Sequence, residues 1–250
     1  MVRSLRSVLW IVLVLLPQAA LAQESAEGLS INIGGLEGGS TAARMIQLIL
    51  LLTVLSLAPS ILIMVTSFTR LIVALSFLRT ALGTQTTPPN QVLIALALFL
   101  TAFIMAPVFE ASYYNGMLPL IEESITEEQA IERSAEPFRT FMLAHVRDKD
   151  LELFMNMRPE MEELETRQDT PYQILIPSFM ISELRRAFEI GFLLFVPFLI
   201  IDLLVASILM AMGMMMLPPV IISLPFKLVF FVLVDGWYMV AGSLARSFGL

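Results

Sequence analysis

The chain has 250 residues, 57% of them hydrophobic, with a mean hydropathy of +0.82 and a net charge of −7, which is the composition of a membrane protein. It has no cysteine and a single histidine, His145, which excludes disulfides, thiolate nucleophiles and Cys- or His-rich metal sites. No G-x-x-x-x-G-K-[ST] occurs, and Gly34-Gly35 and Gly38-Gly39 lack the lysine and helix of a phosphate loop, so no catalytic residue, metal or cofactor is expected.

Residues 1–22 read as a signal peptide, with Arg3 and Arg6 before an apolar run and Ala20-Leu21-Ala22 as the small-residue cleavage motif. Residues 23–43, rich in Gly, Ser and Glu without periodicity, read as a flexible exported linker. The first helical hairpin is expected at 44–110. Residues 45–69 are charge-free, long enough for a spanning helix near 46–65 that Pro59 kinks. Residues 67–80 carry Arg70 and Arg79 in the connection, 84–90 form a turn around Pro88-Pro89, and 92–109 form the second helix.

Residues 111–172 change character. Between 122 and 169 there are 14 acidic and 6 basic side chains, a surplus of negative charge larger than the net value for the whole chain. Phosphate binding needs a basic face, so nucleic acid is excluded as a partner. Thr126-Glu127-Glu128 is a helix start, and Phe138, Phe141, Met142 and Val146 recur at helical spacing, so this acidic insertion is partly helical. The second hairpin is expected at 173–250, from an apolar run ending near Ile201 and a charge-free run at 203–226 broken by Gly213 and Pro218-Pro219. The fold class is therefore an all-α membrane protein, with about four main apolar helical segments in two broken hairpins. Arg70 and Arg79 favour the cytoplasmic side, which puts the insertion outside.

Two groups of residues stand out within the apolar runs. The first is Met210-Ala-Met-Gly-Met-Met-Met-Leu-Pro-Pro219, a soft, repackable cluster at a break in the chain; taken alone it reads first as filler of an irregular core, while copies of it around an axis would make a deformable hydrophobic closure that excludes water. The second is the set of charges Glu183, Arg185, Arg186, Glu189, Asp202, Lys227 and Asp235. An unpaired charge at mid-bilayer costs about 2.5–3.5 kcal/mol even on lenient scales, so these pair, line a wet cavity or sit inside protein. Arg185 and Glu189 are i,i+4 neighbours. Lys227 has no acidic neighbour on its own segment, and Glu183 is its expected partner, within the chain or across a subunit boundary. Asp202, isolated between apolar pairs, is the proton-relay candidate, although a purely structural role outweighs it.

Pro177-Ser-Phe-Met-Ile-Ser-Glu-Leu-Arg-Arg-Ala-Phe-Glu-Ile-Gly-Phe192 and Pro225-Phe-Lys-Leu-Val-Phe-Phe-Val-Leu-Val-Asp-Gly-Trp237 resemble the two signatures of the FliP family of flagellar export-gate proteins, related to the R-type subunit of virulence type III secretion. Thr66-Ser-Phe-Thr-Arg-Leu-Ile-Val-Ala-Leu75 and the methionine run look like the same family, and the similarity covers roughly residues 44–250; Ser178, where alanine is commoner, is a small departure. The resemblance implies a homo-oligomeric ring of five copies in the bacterial inner membrane, within the flagellar basal body, its insertion on the periplasmic side. It implies FliQ-like and FliR-like subunits and other export proteins as partners, with unfolded flagellar subunits as cargo. It makes Met214, Met215 and Met216 a pore gasket and Glu183 with Lys227 an inter-subunit salt bridge. It also implies helices held largely in an assembly displaced outward from the bilayer. The alternatives are an R-type virulence subunit, which usually lacks the amino-terminal extension, and a small-solute or proton transporter, suggested by the repeated Pro-Pro breaks at 88–89 and 218–219.

Overall fold

The structure, a computed structural model, describes residues 41–84, 86–157, 167–214 and 216–249; the signal peptide, most of the linker and Met215 lie outside these. Among the described residues every regular element is helical. The helices are α1 (Thr41–Met64), α2 (Phe68–Ala81), α3 (Asn90–Ser112), α4 (Leu118–Ile121), α5 (Glu127–His145), α6 (Asp148–Asn156), α7 (Tyr172–Ala211), α8 (Pro219–Leu233) and α9 (Gly236–Arg246). The chain divides into two units, 1–54 and 55–250. The described part of the first is helix only, the leading portion of α1, and its apolar side chains are exposed.

In the second unit the organising element is α2. Leu71, Ala74, Leu75, Leu78 and Ala81 follow the 3–4 spacing of a helix face and are all essentially inaccessible. They pack with Leu93, Ala97 and Ile104 of α3, Phe198 of α7, Phe231 of α8, and Val240 and Leu244 of α9. The expected connection at 67–80 is thus a core helix. It ends at Gly83, whose φ of +78° suits a residue without Cβ and whose N–H bonds to the Thr80 carbonyl.

Helix α3 continues into a π-helical turn, Tyr113–Met117, before α4. That turn brings Gly116 against α5 so closely that a Cβ there would lie 2.0 Å from Ser134 Oγ and 2.7 Å from the Ala130 carbonyl oxygen. Ser112 Oγ donates to the Ser134 carbonyl at 2.8 Å across the same contact. Helix α5 begins at the expected place, with a reciprocal capping box between Thr126 and Gln129 and with Glu127 and Glu128 in its first turn. Its far end is closed by Arg167, which donates to the carbonyls of Leu143 (3.0 Å) and Val146 (2.8 Å). Met142 and Val146 are buried in a second core with Leu151 of α6 and Ile174, Leu175 and Phe179 of α7, and Phe138 and Phe141 pack against it. The described part of the insertion is therefore packed onto α7.

The largest difference from the sequence reading is in α7. The expected third segment and the start of the fourth are one 40-residue helix running straight through Asp202. At 1.5 Å per residue it is about 60 Å long, roughly twice the hydrocarbon thickness of a bilayer. A charge does not end a helix when a partner neutralises it, and Pro177 and Pro197 are accommodated within it. Among the described residues, three helices are long and apolar enough to cross a membrane: Met45–Met64, Asn90–Ile121 and Tyr172–Ala211. Helices α8 and α9, bent by 65° at Asp235-Gly236, make a fourth if taken together.

Candidate functional site

The methionine run forms the turn between α7 and α8, and hydrogen bonding fixes its start. Gly213, with φ of +72°, lets its N–H reach the Met210 carbonyl while the Met214 N–H reaches that of Leu209, both at 3.0 Å. This is a Schellman stop, which terminates α7 abruptly. Pro218 then caps α8 and Pro219 is its first residue, where a missing N–H costs nothing. Between these stops the thioethers of Met214 and Met216 face outward. Met210, Met212 and Met214 are exposed, and Met216 reaches 98%, the highest of the large apolar side chains among the described residues.

The charges of the apolar helices are matched in a way the sequence reading did not anticipate. The expected pair of Glu183 with Lys227 is not the one formed within the chain. Glu183 is fully buried and takes both Nε (2.8 Å) and Nη2 of Arg70, a bidentate fork between α7 and α2. The remaining nitrogen of Arg70, Nη1, donates to the Ser247 carbonyl (2.8 Å) and hydroxyl (3.0 Å), and Phe248 lies over the guanidinium at 3.6 Å. Arg70 thus ties α2, α7 and the carboxyl-terminal tail together. Sequence reasoning placed it in a connection and missed this role. The available signal was an arginine alone in an apolar run, which needs a partner.

Lys227 is also buried, and its partner is Asp202 at 2.6 Å. Its ammonium donates as well to the Ala81 carbonyl at 3.2 Å, at the carboxyl-terminal end of α2, where the helix dipole favours a cation. Ser223 Oγ donates to the other Asp202 oxygen, so the aspartate expected to be isolated has both oxygens engaged. Arg185 and Glu189 pair across one turn at 2.9 Å on an exposed face, Arg186 is exposed, and Asp235 is exposed at the bend with φ of +52°.

A third polar cluster was not singled out from the sequence. Buried Asp150 accepts two bonds from Arg147, from Nε (2.9 Å) and Nη2 (2.8 Å), and one from Ser182 Oγ (2.5 Å). The Arg147 N–H donates to Ser182 Oγ at 3.1 Å. Ser182 adjoins Glu183, so the insertion and the α2–tail junction grip α7 at consecutive residues. Among the described residues no group of His, Cys, Asp and Glu is arranged to hold a metal.

The model of the FliP family matches residues 51–244, which contain the methionine turn, both buried ion pairs and the Asp150 cluster. The chain belongs to the FliP family. It is 56% identical over 234 residues to the flagellar biosynthetic protein FliP of Caulobacter vibrioides, covering 94% of this chain and 86% of that one. The protein of the same description from Agrobacterium fabrum is 55% identical over 84% of this chain and 86% of its own length. That of Bacillus subtilis is 54% identical over 87% of this chain and 98% of its own. Ser247 and Phe248, which complete the Arg70 site, lie just beyond the family match.

Proposed function

We propose that the chain is a core membrane subunit of the flagellar protein-export gate, and that its methionine turn seals the closed channel. The observation that carries this reading is a short turn, stopped by Gly213 and restarted by Pro218-Pro219, in which Met214 and Met216 face outward, Met216 at 98% exposure. An outward cluster of flexible apolar side chains has no use in a folded core. It suits a constriction that several copies build together, dry when shut and deformable around a passing chain. In this reading five copies form a ring with FliQ-like and FliR-like subunits, and unfolded flagellar subunits pass through it.

The chain acts as a conduit, with the buried ion pairs holding its helices in register. Asp202, engaged by both Lys227 and Ser223, fits a structural role better than a proton relay. The site is the inner membrane, with the acidic insertion outside. Arg70 is cancelled by Glu183, so this orientation rests on Arg79, the acidic run and the leader sequence. The test replaces Met214, Met215 and Met216 by alanine in the gate assembled with its partners and reconstituted into a bilayer. Ion conductance at rest should rise, and an unchanged conductance would reject the seal.

A further inference from the structure

We infer that the outer row of α3 around Glu110 and the outer row of α7 around Arg186 are complementary surfaces through which one copy of this chain meets the next. This rests on the reading of the chain as a ring subunit, and adds which surfaces meet and at which charge pair. On α3, Phe99, Phe103 and Glu110 follow at intervals of four and seven residues, which puts them on one side of the helix, and all three are exposed. On α7, Arg186, Leu193 and Ile200 recur every seven residues and are likewise exposed. Each row joins two large apolar side chains to one charge, acidic on α3 and basic on α7.

Neither charge is answered within the chain. Among the described residues the Glu110 side chain makes no ion pair or hydrogen bond. The same holds for Arg186, because the nearby Glu189 is taken by Arg185 at 2.9 Å. Lipid tails cover the apolar parts of both rows as well as protein does, but a lone charge among those side chains is costly there. A surface that brings the opposite charge removes the cost, and each row is such a surface for the other.

The placement of the rows suits a ring. A cyclic assembly needs two different faces on each copy, because the first face of one meets the second face of its neighbour, and the two must lie at matching heights. Helices α3 and α7 both pack on α2 but barely on one another, so their outer rows lie on different flanks. The end of α2 gives the heights. Lys227 bonds both the Ala81 carbonyl and Asp202, which brings Asp202 of α7 to that level, and Arg79 bonds Asn90, which brings the start of α3 there too. From that level α3 runs twenty residues to Glu110 and α7 runs back sixteen to Arg186, both toward the insertion. At 1.5 Å per residue these are about 30 Å and about 24 Å, and an arginine side chain spans the difference of about 6 Å.

The chain has no cysteine, so introduced thiols are its only ones. The experiment expresses the full chain carrying Glu110→Cys and Arg186→Cys with its gate partners, and bridges thiols in the membrane with a short bis-maleimide. A spacer is needed because an arginine–glutamate contact holds the two backbones too far apart for a disulfide. Denaturing electrophoresis should show a ladder of joined copies, and each single variant should show none. In parallel, Glu110→Arg should cut recovery of the native oligomer about tenfold, and Arg186→Glu in the same chain should restore it. Both positions are exposed, so the thermal midpoint of the isolated chain should not move, which separates assembly from folding. An oligomer of full mass that gives no ladder would overturn the inference, as would a cross-linked product from either single variant or a charge reversal without effect on assembly. In those cases lipid or another subunit covers these rows, and the gate reading stands. If the unsubstituted chain and its partners yield no oligomer, the gate reading itself fails and takes this interface with it.

Discussion

Removing Glu183 should be more damaging than removing Arg70, although the two share one ion pair. Both side chains have no solvent exposure, and Arg70 uses Nε and Nη2 on Glu183 and Nη1 on Ser247. In Glu183→Leu the guanidinium stays buried with only Ser247 and the Phe248 ring, and arginine cannot shed its proton. In Arg70→Met the abandoned carboxylate can take up a proton and lose its charge. Breaking a buried pair from one side costs about 3–5 kcal/mol, so Glu183→Leu belongs at the upper end and Arg70→Met at or below the lower. For a chain of this size that amounts to roughly 6–20 °C in thermal midpoint. The double variant, with two well-packed apolar side chains in place of the pair, should recover most of the loss. The assay is thermal unfolding of the detergent-solubilised chain followed by size-exclusion chromatography. Equal effects of the two single variants, or a double variant worse than either, would refute the reasoning.

Three further outcomes follow from the geometry. Lys227→Glu should block assembly and be rescued by Asp202→Lys, the partner at 2.6 Å; rescue by Glu183→Lys instead, read as recovery of the oligomer by native mass measurement, would mean that assembly exchanges the partners. Gly116→Ala places a Cβ against backbone atoms of α5 and should cost about 1–3 kcal/mol, whereas Gly213→Ala meets open space and should cost only the left-handed strain of about 1–2 kcal/mol. Thermal midpoints give the order, and Ser134→Ala should not rescue Gly116→Ala because the Ala130 carbonyl remains in the way. Truncation after Arg246 removes both acceptors of Arg70 Nη1, at about 1.5–3 kcal/mol for each charged bond, and should speed amide exchange in α2.

What was legible in the chain followed from periodicity and punctuation. Thr126 with two glutamates marked the start of α5, the face of Phe138, Phe141, Met142 and Val146 marked its buried side, and Pro218-Pro219 marked the restart at α8. What was not legible depended on partners far apart in sequence. Arg70 and Glu183 are 113 residues apart, and Arg70 and Ser247 are 177 apart, so no local pattern links them. The same gap made 67–80 read as a connection: two arginines outweighed the spacing of Leu71, Leu75 and Leu78, although one of them is cancelled inside the core. Asp202 misled in the opposite direction. It looked like the end of one apolar segment, yet the helix runs on because Lys227 meets it from α8.

The grip of Arg70 on Ser247 also sets an order of events during synthesis. Glu183 follows Arg70 by 113 residues, but the acceptors of the arginine's last nitrogen, both on Ser247, follow it by 177. Until those residues leave the ribosome, the centre of α2 holds a cation with its third nitrogen unanswered. Chains usually fold from the amino terminus as they emerge; here the arginine of the central helix is fully bonded only once Ser247, 177 residues later, is in place. A copy that stops before Ser247 therefore carries a defect in its core, an arginine nitrogen stripped of both acceptors, which gives membrane quality-control proteases a physical basis for recognising it.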